Sequence, residues 1–151
     1  DTEQAHHIVR HDPAGVVAIV TPWNAPLMLS TWKLGPALAA GNTCVLKPPE
    51  WAPLTCSLLA DAADAAGLPP GVFNVVQGSG AVTGAKLVSD ARIARVSFTG
   101  SVPTAKWIAQ AAGAGERSAP MFGGDLVLNA ASMAPADVAQ ELYWLRLSKG
   151  A

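Results

Sequence analysis

The stretch GVVAIVTPWNAPLMLSTWKLGPALAAGNTCVLK, residues 15–47, decides the fold class. It opens on an apolar run rich in Val and Ile (15–20), passes Pro22 and Pro26, and continues as an Ala- and Leu-rich segment of helical period over 27–40. Gly41 fits the end of that helix, and a second apolar run, NTCVLK (42–47), follows at once. A strand, a helix long enough to carry the chain back, and another strand make a right-handed βαβ unit with parallel strands. Asn24, between the prolines at the exit of the first strand, reads either as a turn residue or as a side chain that faces a ligand.

The same alternation runs on. VFNVVQ (72–77) and ARVSFT (94–99) read as strands, LVLNA (126–130) reads as a weaker fifth, and helices are expected over 53–66, 80–89 and 102–113. Pro53 fits a first helical position and GLPPG (67–71) a stiff break, whereas Pro36 is expected to kink or split the first helix. The expected fold is α/β, a parallel sheet with flanking helices, with every strand parallel. Beyond about residue 115 the pattern weakens, and ELYWLRL (141–147) is a candidate closing helix with few polar positions for a solvent face. With 151 residues and no repeats, a single domain is expected.

Half of the residues are hydrophobic and only 14% are charged, which suits a buried α/β core and argues against disorder. The net charge of −1, with Lys and Arg scattered, gives no footprint for nucleic acid or an anionic membrane, so small molecules or protein partners are expected. No run reaches the roughly 18 apolar residues of a membrane span. The start DTEQAHHIVRHDP lacks the layout of a signal peptide, so a cytoplasmic location is expected. His6, His7 and His11 share no obvious rigid element, and no metal site is expected from them. Cys44 and Cys56 fit no metal or redox spacing and read as buried, inert thiols.

In open parallel sheets ligands collect at the carboxyl ends of the strands. TPWN (21–24), KPPE (47–50), QGSG (77–80) and FTGS (98–101) all fall there. GSGAVTG (78–84) can bring backbone amides to a pyrophosphate, but its third glycine is one position late for the dinucleotide fingerprint, and a flexible helix-start turn reads the same way. Ser101 can cap the following helix or bond an anion. Lys47 and Glu50 can hold ribose or phosphate oxygens, and surface charges on a loop would look alike. Trp32 and Lys33, within STWKLGPALAAG, read as helix packing.

TPWNAPL, WKLGPALAAGNTCVLKPPEWAPLT, AGLPPGVFNVVQG and VSFTGS, in this order and spacing, resemble the NAD(P)-dependent aldehyde dehydrogenase superfamily from about residue 8 to residue 124. Within it the chain looks most like members that act on semialdehydes of aromatic catabolism, such as 5-carboxymethyl-2-hydroxymuconate semialdehyde dehydrogenase. The resemblance implies an incomplete Rossmann-like cofactor domain over 1–124, with 125–151 a divergent tail that forms no separate domain. It implies that Trp23 and Lys47 line the cofactor site, that Glu50 holds the adenosine ribose, and that Gly78 belongs to the adenine-side wall. Phe98, Gly100 and Ser101 are implied to lie along the pyrophosphate and nicotinamide. A carboxylate at position 50 favours NAD over NADP, whose extra phosphate would meet a like charge. In the family's reaction a cysteine thiolate attacks the aldehyde, hydride leaves to the nicotinamide, and a glutamate activates the water that hydrolyses the thioester. The asparagine of the PWN motif donates its N–H to the developing oxyanion, and Asn24 matches it.

The sequence also departs from the family. Where the family has Glu-Leu-Gly-Gly followed by lysine, this chain has PMFGGD (120–125), with Met121 at the place of the base and Asp125 at the place of the lysine. Glu116 is the only carboxylate nearby. The family's cysteine comes some thirty residues beyond the glycine pair, past the last residue here, and Cys44 and Cys56 match no catalytic position. The sequence therefore leads us to expect a truncated aldehyde dehydrogenase that keeps part of the NAD site and the oxyanion asparagine, and is inactive alone. Its partners by family are NAD and an aldehyde, with room for oligomers with itself or with a full-length relative. The alternative is a non-catalytic nucleotide-binding or protein-docking pseudo-enzyme.

Overall fold

A computed structural model describes residues 8, 12–113, 126–130 and 143–146. The chain runs β1 (Val16–Val20), α1 (Pro26–Ala39), β2 (Thr43–Lys47), α2 (Leu54–Ala65) and β3 (Phe73–Val75). A π-helical turn, Gly80–Gly84, then leads into α3 (Ala85–Ser89), followed by β4 (Ile93–Gly100), α4 (Val102–Gly113), β5 (Leu126–Ala130) and β6 (Tyr143–Arg146). The strands form one sheet in the order β3-β2-β1-β4-β5-β6. All pairs are parallel except β5 with β6, which is antiparallel.

Period-two alternation in β1 assigns its side chains to two cores. Val17 and Ile19 pack with Leu34 of α1, Cys44 and Leu46 of β2 and Cys56 of α2. Ala18 faces the other way, with Val88 of α3, Val96 and Phe98 of β4, and Ala105 and Ile108 of α4. Helices α1 and α2 therefore cover one face and α3 and α4 the other, as right-handed crossovers on either side of β1 require.

The amino ends of β1 and β2 are locked by one side chain. Gly41, at φ +80, ends α1 with its N–H donating to the Leu38 carbonyl at 2.9 Å, while the Asn42 N–H donates to Ala37 at 3.1 Å. That pair of bonds needs a left-handed residue at position 41, which glycine supplies without a Cβ penalty. Asn42, 8% exposed, then accepts from the Ala14 and Gly15 N–H groups at 2.6 and 3.1 Å and donates to the Ala37 carbonyl at 2.9 Å.

Three expectations from the sequence are corrected. Helix α1 is continuous over Pro26–Ala39 with Pro36 inside it. Pro36 and Trp32, one turn apart, are both exposed, so water can reach the carbonyl that the missing N–H leaves free. Strand β3 is shorter than 72–77, although Val72 and Val76 still exchange ladder bonds with Cys44 and Leu46. The closing helix expected over 141–147 gives way, at its described residues, to a strand: 143–146 add an antiparallel edge strand, registered Leu128↔Leu145 and Ala130↔Tyr143. Its consecutive aromatic and aliphatic residues suit a strand and leave a helix no polar stripe.

Replacing Asn42 with alanine leaves the Ala14 and Gly15 amides without their side-chain acceptor and the Ala37 carbonyl with the backbone N–H of residue 42 alone. We expect a loss of roughly 1–3 kcal/mol in unfolding free energy, read by urea denaturation with an unchanged m value.

Candidate functional site

The exits of β1, β2 and β4 meet at the carboxyl edge of the sheet. Val20 lies in register with Lys47 on one side and Phe98 on the other, so TPWN sits between KPPE and FTGS. The Thr21 N–H extends the ladder by one more bond, to the Lys47 carbonyl at 3.4 Å. Beyond it the chain turns outward: Trp23 is 65% exposed and Asn24 is exposed. Helix α1 starts on Pro26, and its N-cap residue, Ala25, offers no side-chain bond.

Lys47 is buried, 4% exposed, and its ammonium is held below the usual lysine range. Desolvation is the larger cause, and the Glu50 carboxylate acts in the opposite sense. Pro48 is fully buried, fixing the turn that leaves Glu50 and Trp51 exposed, Trp51 at 86%.

On β4 the ring of Phe98 is buried with the α3 and α4 core and covers Gly100, where any Cβ would overlap it. Thr99 points to the opposite face. It is 4% exposed, and its Oγ1 is a buried side-chain atom with no hydrogen-bond partner. Ser101 caps α4: its Oγ accepts from the Thr104 N–H at 3.4 Å and bonds the Thr104 hydroxyl at 2.9 Å.

Gly78, at φ +136, follows β3 farther along the edge, and a Cβ there would run into Thr83. The strained approach lets Ser79 accept from the Val82 N–H at 3.2 Å and start the π-helical turn. Between that turn, α3 and α4 lies a cleft of about 560 Å³, lined by Val20, Gly80, Ala81, Gly84, Ala85, Val88, Pro103, Thr104, Trp107 and Ile108. Gly80, Ala81 and Gly84, within the GSGAVTG stretch singled out in the sequence, line it together with Pro103 and Thr104 just beyond Ser101, whereas Trp23, Asn24, Lys47, Glu50, Gly78, Phe98, Gly100 and Ser101 do not. A second cleft, of about 620 Å³, lies toward the amino ends of the strands, with Val45, Asn74 and Arg92 in its wall.

The aldehyde dehydrogenase family model matches residues 1–139. The chain belongs to the aldehyde dehydrogenase family. It is 51% identical over 113 residues to the acetaldehyde dehydrogenase of Pseudomonas aeruginosa, covering 74% of this chain and 22% of that protein. The crystal structure of HpcC from Thermus thermophilus superposes with a TM-score of 0.72 at 47% identity, covering 79% of this chain and 22% of that one. An NAD+ complex of an aldehyde dehydrogenase from Bacillus cereus gives a TM-score of 0.73 at 42% identity, covering 81% and 23%. The chain thus spans about a fifth of the length of the relatives it matches.

In this aldehyde dehydrogenase chain both thiols are enclosed. Cys44 lies in β2 and Cys56 in α2, each with no exposure, and burial pushes the Cys44 thiol up to about 11. Glu116, Met121 and Asp125, like His6, His7 and His11, lie outside the described residues.

The sequence reading gave Thr99 no role and assigned Lys33 only to helix packing. Alternation along FTGS would have separated Thr99 from Phe98 and given its hydroxyl a different environment. Lys33 has no carboxylate three or four residues away on α1, and burial lowers its ammonium to about 8. In the unfolded chain that amine titrates near 10.5, so between about pH 8 and 10.5 the unfolded state binds more protons and stability rises with pH. Cys44 acts oppositely from about pH 9 to 11. Denaturation curves of the wild type and Lys33→Met are therefore expected to diverge from pH 8 upward, with the wild type gaining; parallel curves would show that Lys33 is not desolvated.

Proposed function

We propose that this chain is the cofactor-binding portion of an NAD-dependent aldehyde dehydrogenase, holding the dinucleotide across the carboxyl edge of its sheet and presenting Asn24 to the aldehyde. One observation carries the reading. The loop bearing Asn24 is flanked by those bearing Lys47 and Glu50 and by 98–101, while the 560 Å³ cleft between α3 and α4 opens beside them. Two features fit a bound dinucleotide. The cleft is apolar and of adenosine size, and the rim beside it carries the polar side chains of Asn24, Glu50 and Ser101.

In this reading Trp23, Lys47, Phe98, Gly100 and Ser101 surround the cofactor, and Glu50 accepts from the ribose hydroxyls. Gly78 shapes the wall on the adenine side. The bound nicotinamide supplies the two-electron acceptor. Asn24 donates its side-chain N–H to the oxyanion that forms when the aldehyde carbon becomes tetrahedral, a donor held outside the core where substrate can reach it. Neither thiol of the chain is placed to attack, and methionine at 121 cannot take a proton from water. The chain by itself binds cofactor without oxidising aldehyde.

A second reading, a non-catalytic nucleotide-binding protein, shares the same site and is favoured by the enclosure of both thiols. The distinction is whether further polypeptide supplies a thiolate.

Isothermal titration of the 151-residue chain is expected to show saturable binding of NAD+ and weaker binding of NADP+. Glu50→Gln should narrow that difference by roughly fivefold to tenfold, the effect of removing about 1 kcal/mol of like-charge repulsion. Equal affinity of the wild type for both dinucleotides would contradict the role of Glu50. Aldehyde-dependent NADH formation by this chain would overturn the absence of a working nucleophile.

A further inference from the structure

Among the described residues, the loop that carries Asn24 is held at its ends. From Thr21 to Ala25 its backbone makes one bond to the sheet, Thr21 N–H to the Lys47 carbonyl, and one into the helix, Leu29 N–H to the Ala25 carbonyl. No side chain caps α1, and Ala25 sits at φ −147, ψ 58, outside the helical region. The direction in which Asn24 leaves the sheet is thus set by where the first turns of α1 lie relative to the end of β1.

A buried polar chain fixes that relation. Thr21, 5% exposed, shares a hydrogen bond with Ser30 at 3.3 Å between hydroxyl oxygens. Ser30, with no exposure, is in turn 3.4 Å from the Cys56 sulfur in α2. A helical serine or threonine commonly returns its hydroxyl to the preceding turn, as Thr31 does to the Met28 carbonyl at 2.9 Å. Ser30 turns inward instead. Its hydroxyl links the exit of β1 to α1 and α2 inside an otherwise apolar layer, where an unmet polar group is disfavoured and the bonded arrangement is selected.

We propose that Ser30 is a positioning residue for Asn24, acting through Thr21 to set the angle at which the TPWN loop leaves the sheet. The proposal rests on the role given to Asn24 above only for its functional meaning. The geometry is tested on the chain without cofactor or aldehyde, so its failure is distinguishable from failure of the cofactor reading.

The test uses the 15N-labelled 151-residue chain, with the Asn24 side-chain amide signals assigned by their loss in Asn24→Asp. Ser30→Ala and Thr21→Val each remove one hydroxyl of the shared bond. Both are expected to shift or broaden the Asn24 side-chain signals while those of Asn42 and Asn74 stay in place. The double variant should go no further than the larger single effect, because both changes cut the same link. Thr21→Ser, which keeps the hydroxyl, should leave Asn24 at its wild-type position. If Ser30→Ala fails to fold, the contrast between Thr21→Val and Thr21→Ser decides the matter. Asn24 signals that stay fixed in the hydroxyl-deleting variants, or that move no more than those of Asn42 and Asn74, would overturn the proposal, as would additive effects in the double variant.

Discussion

Strand β1 is bonded in parallel along both edges, to β2 from Val16↔Thr43 to Val20↔Lys47 and to β4 from Val17↔Arg95 to Val20↔Phe98. Because the chain leaves β1 toward β2 and later returns to β4 on the other side, the crossovers must lie on opposite faces of the sheet. Two consequences follow from this single constraint. The core divides into two layers that share β1, and the loops leaving β1 and β4 diverge to form a crevice at the carboxyl edge. Everything proposed for binding uses that crevice.

The crevice has two different walls. On the α1 and α2 side, burial of Lys47 and Pro48 and the polar chain from Thr21 to Cys56 make a stiff base from which Trp23, Asn24 and Glu50 project. On the α3 and α4 side, the π-helical turn and the start of α3 are lined by small residues, Gly80, Ala81, Gly84 and Ala85, which keep the cleft open. A polar, preorganised rim beside an apolar slot suits a dinucleotide, whose reactive ring must be oriented while its adenine is enclosed. Family membership agrees with this arrangement. The chain represents about a fifth of those relatives' length.

Much of this was legible in the sequence where local chemistry and tertiary demand coincide. Gly41 announced the end of α1 because only a left-handed residue completes its carbonyl bonds, and LVLNA read as a strand because β-branched and aliphatic residues dominate it. Elsewhere the local signal and the context part. Pro36 should break a helix, yet one exposed carbonyl near the helix end is tolerated by water. The ELYWLRL run carries no period that separates a buried helix from an edge strand, and pairing with β5 decided for the strand. The cleft was only half legible: Gly80, Ala81 and Gly84 belong to GSGAVTG, read as a candidate pyrophosphate turn, but the opposite wall at Pro103, Thr104, Trp107 and Ile108 meets them only through the packing of α3 against α4. Thr99 and Lys33 stood out only once burial was known, because a hydroxyl or an ammonium is unremarkable until its solvent and partners are counted.

The claim that the dinucleotide lies across the carboxyl edge, with adenosine between α3 and α4, is tested most directly by mapping backbone amide shifts during titration with NAD+. The account predicts saturable shifts concentrated at Gly80, Ala81, Gly84 and Thr104 and along residues 98–101. Shifts clustered instead around Val45, Asn74 and Arg92, in the cleft toward the amino ends of the strands, or no saturable shift at all, would contradict it.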